Sequence, residues 1–368
     1  AGALPVPAKI LEENAVSPTL GVDSLNKSFV AGSIGLGLLM LFMLIWYRVP
    51  GLIADVALVI YSIITFAVFK VTGVTLTLAG IAGFILSVGM AVDADVIIFA
   101  RIREELAKGV SVKTAVKNGF DKALSAILDG NITTLIAAAV LFVMGSGTIK
   151  GFASTLAIGI ILSMFTALFV TKFILNSLIA MGAKNPSLYG KAKELKIFNF
   201  VGKSKVFFAI SALLVVGAVG MLIYNSTTGY MLNYNIDFIG GTSSTVELEN
   251  AVDLEYIDNT VKPIVADALG ISTADIRANT VNDTNQIVLK TKTLSQEERE
   301  KVLDALDANL GVDASSVEME NISATVGNEM RKNAIIAVAI ATVCMLLYIC
   351  IRFKEFSFGL GSVLALLH

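Results

Sequence analysis

Long apolar runs, separated by short polar or basic connections, set the rhythm of this chain. A helix needs about 20 apolar residues to cross a bilayer, and runs of that order lie at 29–47, 52–69, 78–100, 127–143, 152–175, 206–224 and 334–351, with an eighth opening near Phe356. One stretch breaks the rhythm: residues 225–328 are polar and acid-rich, while the other connections are short. The pattern predicts seven membrane-spanning helices, the start of an eighth, and one polar domain inserted between the sixth and the seventh.

Inside the insert the periodicities change. Residues 243–249 alternate like a strand, and 254–269 have helical spacing with Pro263 as a kink. Residues 271–281 and 286–293 are short strand candidates. Ser295 followed three residues later by Glu298 is the mark of a capping box opening a helix over 295–310, and 312–320 can supply a last strand. The order β-α-β-β-α-β predicts a small ferredoxin-like α+β layer. That fold hosts many functions and identifies none.

Composition adds that this is no ordinary soluble domain. The 368 residues are 55% hydrophobic and only 16% charged, with mean hydropathy +0.77. A formal net charge of −2 gives no reason to expect nucleic-acid binding. Cys344 and Cys350 share one apolar run, which offers neither a disulfide framework nor a CxxC site, and the only histidine is His368. Ala1 is not an initiator methionine, no signal peptide opens the chain, and 356–368 is an apolar run cut short, so the sequence reads as a fragment.

Basic residues set the expected orientation. Arg101, Arg103, Lys108, Lys113, Lys117 and Lys122 fall in one connection, and Lys184, Lys191, Lys193, Lys196, Lys203 and Lys205 in another. Both are expected on the cytoplasmic side. With alternating spans, Arg48, Arg352 and Lys354 fall on that side too, and the acidic insert faces outward.

The chemistry concentrates in GMAVDADVIIFARIREE, residues 89–105. A carboxylate near the middle of a membrane helix costs about 2.5 to 3.5 kcal/mol on insertion scales, so Asp93 and Asp95 each require a reason. Two residues apart on a helix, they point about 200° away from one another and cannot share a face. The face of Asp93 also carries Gly89, Met90, Ile97 and Ala100, and Gly80, Gly83 and Gly89 permit close helix approach. Asp93 is the stronger candidate for a proton carrier, and Asp95, nearer the charged border, the weaker one. In LDGNITTLI, Asp129 and Asn131 read as N-capping groups of the fourth span, and residues 111–127 as a helix able to lie on the membrane surface. IDFIGGT, residues 236–242, places Gly240 and Gly241 at a turn into the first strand. No Walker, HExxH or GxSxG motif occurs, so neither nucleotide energy nor hydrolysis is indicated, and no cofactor or metal site is expected.

Taken together, GMAVDADVIIFARIREEL, LDGNITTLI followed by GSGTIKGFA, and IDFIGGT resemble the SecD/SecF family in its fused SecDF form, over nearly the whole chain. The resemblance implies a polytopic, mainly α bundle of the resistance-nodulation-division type with one ferredoxin-like extracytoplasmic domain. Residues 1–27 would end the first extracytoplasmic domain, 28–183 hold the SecD helices, 184–204 link, 205–224 form the first SecF helix, 225–328 form the second domain, and 329–368 hold truncated SecF helices. It further implies a non-enzymatic partner of the SecYEG translocon in the bacterial inner membrane. In that role it would use a proton or sodium gradient to help move unfolded preproteins. Asp93 would be the proton-pathway aspartate, with Asp95 standing where many relatives have Asn. Arg101, Arg103, Glu104, Asp129, Asn131, Asp237, Gly240, Gly241 and Thr242 would be further motif residues. A lipid or small-molecule exporter of the same superfamily and a purely structural translocon subunit are the rival readings.

Overall fold

The computed structural model describes residues 12–15, 18–190, 199–228, 234–248, 250, 252–281, 284–313 and 316–367. The chain divides into two compact units, residues 1–26 with 221–335 and residues 27–220 with 336–368.

The larger unit is helical. It is built from α1 (Pro18–Tyr47), α2 (Val49–Thr72), α3 (Leu78–Ala107), α4 (Val112–Met144) and α5 (Gly147–Ala180), and takes in much of α6 (Ser204–Thr228). The apolar runs form these helices because a bilayer offers no partner for backbone N–H and C=O groups other than their own i→i−4 bonds. Seven helices among the described residues are long and apolar enough to span, and a shorter apolar helix follows the last. Core and rim separate clearly. In their most apolar windows, 44% of α2, 44% of α3 and 39% of α5 is buried, against 6% of α1 and none of α6. Local signals close the ends: Pro50 stands in the first turn of α2, Gly73 caps it in a left-handed conformation, and the Thr77 hydroxyl accepts from Gly80 N at 3.0 Å to start α3.

The fourth span differs from the expectation. α4 begins at Val112, capped by Ser111, and runs through 33 residues without interruption, so Asp129 and Asn131 lie inside it and are not N-caps. Asp-Gly-Asn is a poor helix former on its own, but here the polar side chains find partners. Asn131 Nδ2 donates to Ile127 O at 2.8 Å, and Asp129 reaches another helix. Residues 111–127 form the first half of this helix and pack against α3. Their apolar face, Val112, Ala115, Val116, Gly119 and Phe120, is buried, and a Cβ at Gly119 would stand 3.0 Å from the Ile102 backbone nitrogen of α3.

The smaller unit holds a five-stranded antiparallel sheet, β1 (Glu12–Ala15), β2 (Gly241–Glu247), β3 (Arg277–Thr280), β4 (Gln286–Thr291) and β5 (Glu318–Ile322), in the order β1-β5-β2-β4-β3. Without β1 this is the ferredoxin-like order. The helical layer is α7, residues 254–269, and α8 (Gln296–Leu310). Val261, Val265, Val302 and Leu306 from that layer pack on Val246, Ile287, Leu289 and Met319 from the sheet. α7 bulges into a π-turn over Ile257–Val261 just before Pro263, whose missing N–H would otherwise break the ladder. The Ser295–Glu298 capping box forms in both directions. The third strand starts at Arg277 because Thr273–Asp275 coil into a 3-10 turn, and β5 lies beyond the expected start of the last strand. β1 is an edge strand contributed from far upstream, Glu12 opposite Ile322, which the alternation pattern did not suggest. Ala324 then opens α9 (Ala324–Phe353), followed by α10 (Phe356–Leu367).

Candidate functional site

α3 and α5 are joined by small residues spaced four apart. On α3 these are Gly83, Ser87 and Ala91, and on α5 Gly151, Thr155, Gly159, Ser163 and Ala167. This is the small-xxx-small arrangement that lets membrane helices approach closely. A Cβ added at Gly83 would lie 2.9 Å from the Phe152 carbonyl, and one at Gly159 would collide with Ser87. Gly80 also faces α5, across from Thr155, whereas Gly89 has nothing within contact distance and takes no part in packing. Polar groups in the seam are satisfied locally. The Tyr61 and Ser87 hydroxyls share a hydrogen bond of 2.7 Å, and Thr155 Oγ1 donates back to Phe152 O at 3.0 Å.

The fourth step of the α3 series is Asp95, 4% exposed, and the next step on α5 is Thr171, fully buried. Thr171 faces Asp95 from the end of a π-helical turn, Thr166–Thr171, a distortion that re-aims side chains and recurs at functional sites. Yet Asp95 Oδ1 and Thr171 Oγ1 are both without a hydrogen-bond partner among the described residues. Asp93, two residues earlier, is exposed on the opposite side, as the helical geometry requires. The sequence reading put the two on different faces and ranked Asp93 first for its depth and for the small residues beside it. The structure separates them by face: Asp95 points into the seam, Asp93 onto a stripe with Ala82, Leu86 and Gly89 that no described residue covers.

At the other end of α3 the charges of ARIREEL are paired. Arg101 and Glu104 form an exposed i,i+3 bridge of 2.7 Å. Arg103 Nε donates to Tyr189 O at 3.0 Å, another of its nitrogens donates to Trp46 O, and its guanidinium lies over the Tyr47 ring at 4.4 Å. Only a glycine fits against it at Gly190, where φ is +80° and a Cβ would stand 2.6 Å from the guanidinium. Glu105, not singled out from the sequence, is 4% exposed and receives Lys108 at 2.6 Å, Lys122 at 2.7 Å and Asn118 at 2.9 Å, tying the α3–α4 elbow. The Glu105 carboxylate beside Lys108 raises that ammonium's pKa above its ordinary value.

Asp129 of α4 accepts from Tyr348 OH at 2.8 Å and Arg352 Nε at 2.7 Å, both on α9, while Arg352 also reaches Ser125. A second buried carboxylate escaped the sequence reading. Asp55 of α2 is 6% exposed, with Oδ1 lacking a hydrogen-bond partner among the described residues; its signal was a lone acid in the apolar run between Arg48 and Lys70.

In the smaller unit the IDFIGGT residues serve the sheet. Asp237 accepts from Asn235 at 2.8 Å. Gly240 at φ +73° and Gly241 at φ +133° pass so close to Ala324 and the Thr291 carbonyl that side chains there would collide. Thr242 is fully buried, donates to Asn321 Oδ1 at 2.8 Å and accepts from Leu294 N at 2.9 Å.

The chain matches the family model described as protein export membrane protein SecD/SecF, C-terminal, over residues 4–181 and 302–368. It is 53% identical over 202 residues to the protein translocase subunit SecD of Acidaminococcus fermentans, covering 53% of this chain and 48% of that protein. Against the protein translocase subunit SecDF of Bacillus subtilis it is 32% identical over 394 residues, which takes in 100% of this chain and 51% of the other. The crystal structure of SecDF from Thermus thermophilus superimposes with a TM-score of 0.86 at 32% identity, over 98% of this chain and 48% of that one. The chain therefore spans about half the length of these relatives. These matches agree with the multi-pass helical fold and the antiparallel sheet described above, and the chain belongs to the SecD/SecF family of protein export membrane proteins.

Proposed function

We propose that this protein acts as a non-enzymatic accessory of the Sec translocon in the bacterial cytoplasmic membrane, coupling an ion gradient to late steps of preprotein export. In this reading the basic connections face the cytoplasm and the sheet domain faces outward, where it handles the emerging chain. The names of the relatives support the export role, protein translocase subunit for two of them and translocon-associated membrane protein for the third.

The observation that carries the coupling is the placement of two carboxylates back to back on α3. Asp93 stands on an uncovered stripe, and Asp95 in a small-residue seam opposite Thr171, its Oδ1 lacking a hydrogen-bond partner among the described residues. An unpaired carboxylate at membrane depth is costly when charged, so binding a proton or a sodium ion changes which helix arrangement is cheapest. One charge crossing 100 mV supplies about 2.3 kcal/mol, whereas inverting a two-state population takes about 5.5 kcal/mol. Two carboxylates, or a steep gradient, would thus be needed for a full switch. α6 and α9, which flank the sheet domain in sequence, carry the change to it.

The test is export of a model preprotein into inverted vesicles bearing the full-length protein, wild type against Asp93→Asn, with and without a gradient. Loss of the gradient-dependent part, with protein level and translocon association intact, is the expected result. Unchanged export would make Asp93 structural.

A further inference from the structure

Packing alone holds α9 weakly in the larger unit. In its most apolar window 6% of the helix is buried, and between residues 336 and 353 Ala337 is the one buried residue. Val343, Leu347 and Ile351 line an outer side that no described residue covers. In a bilayer, lipid tails are as apolar as these side chains, so shallow apolar contact does not fix how far along its neighbour a helix sits or how it is rotated.

Polar groups at one end supply what packing does not. Ser125 and Asp129 stand one turn apart on α4, and Tyr348 and Arg352 one turn apart on α9. The four side chains close a ring. The Tyr348 hydroxyl donates to Asp129 Oδ1 at 2.8 Å and Arg352 Nε donates to the same oxygen at 2.7 Å, while a second Arg352 nitrogen reaches the Ser125 hydroxyl, which donates to Asp129 Oδ2 at 3.3 Å. Among the described residues no other hydrogen bond or ion pair joins α9 to the other long helices of the larger unit. A slip of one turn, about 5.4 Å, or a rotation by one residue, about 100°, breaks the ring.

We infer that this ring is a register clasp, in which Asp129 acts through Tyr348 and Arg352 to fix the depth and rotation of α9 on α4. In the coupling proposed above, on which this role rests, the clasp makes α9 move with α4 and not past it. α4 itself packs on α3 at Gly119 and on α5 through Ala138 against Leu156 and Ile160. α9 opens two residues after the end of β5. Asp129 is therefore a positioning residue between the seam and the sheet domain.

Spin labels at Val143 of α4 and Val338 of α9, both exposed, read the register in the full-length protein in proteoliposomes. One narrow distance is expected while the clasp is intact. In Asp129→Ala the Arg352 side chain, already 42% exposed, turns to water, so no charge is stranded. Losing charge-assisted hydrogen bonds should cut the weight of the docked distance about tenfold, in favour of distances shifted by about one turn. Asp121→Ala, at an exposed acid on the same helix, should leave the distance unchanged. Exchanging the charges, Asp129→Arg together with Arg352→Asp, should restore the narrow distance that Asp129→Arg alone destroys. The gradient-dependent part of preprotein export should follow the distance through this series at equal protein level. A distance that Asp129→Ala leaves unchanged overturns the clasp. A shifted distance with gradient-dependent export intact overturns the positioning role. If the wild type shows no gradient-dependent export, the coupling reading fails, and the distance still decides whether the clasp sets the register.

Discussion

Asp95 and Glu105 lie on the same helix, and both are 4% exposed, yet they are treated in opposite ways. Glu105 receives two ammonium groups and an amide. Asp95 has an oxygen with no partner among the described residues, opposite a threonine hydroxyl in the same condition. A buried carboxylate surrounded by donors is fixed in its charged form and works as a tether. One left unsatisfied in a close-packed seam is costly when charged, and that cost lets an ion change the local structure. The α3–α4 elbow is therefore tied by its charges, whereas under the proposed coupling the seam around Asp95 is the part that an ion would change.

The strongest way to break this division is to damage the seam's packing. Gly159→Leu drives a side chain into Ser87 and should cost about 3 kcal/mol, the upper part of the usual range for overpacking. The expected outcome is loss of folded protein in detergent thermal melts, and a melt like the wild type would mean the α3–α5 approach is looser than described. Next come the tethers. Arg103→Ala removes hydrogen bonds to Tyr189 and Trp46 carbonyls and the stacking on Tyr47, a cost of about 2 kcal/mol. Glu105→Gln keeps the shape but loses the charge facing two lysines, and should cost less than Arg103→Ala, because both ammonium groups are about half exposed and screened by solvent. Both substitutions should lower the melting temperature while leaving the ratio of export with and without a gradient unchanged. Asp95→Asn should show the reverse.

The smallest effect sits in the sheet domain. Ser295→Ala removes a cap worth about 1 kcal/mol. The Ser295 backbone N–H, with Lys292 nearby, holds the Glu298 carboxyl below its ordinary range. A depressed carboxylate pKa contributes stability that is complete above the unfolded value of about 4.3 and is lost as pH falls through the folded one. The gap in melting temperature between wild type and Glu298→Gln, which keeps the shape of the box but not its charge, should therefore narrow below that pH. A gap that widens on acidification would contradict the cap.

Much of this fold could be read from the chain because its cues are local. Seven apolar runs, the capping box at Ser295 and the β-α-β-β-α-β order of the insert each depend on neighbours within a few turns. The misreadings occurred where distant partners decide. LDGN resembles a helix start until Tyr348 and Arg352, more than two hundred residues away in sequence, pair with Asp129 inside a continuous helix. Gly89 looks like Gly80 and Gly83 in the sequence, but only those two face α5. The seam that buries Asp95 becomes visible only when the four-residue spacing on α5 is set beside that on α3. Asp55, a lone acid in the apolar run between Arg48 and Lys70, carried the same kind of signal as Asp93 and did not enter the sequence reading.

The most direct measurement is infrared difference spectroscopy of the full-length protein in proteoliposomes across a pH jump, comparing wild type with Asp93→Asn, Asp95→Asn and Glu105→Gln. The account predicts a protonated-carboxyl band that is lost or shifted in one or both aspartate variants and unchanged in Glu105→Gln. A band that follows Glu105, or a spectrum indifferent to both aspartates, would contradict it.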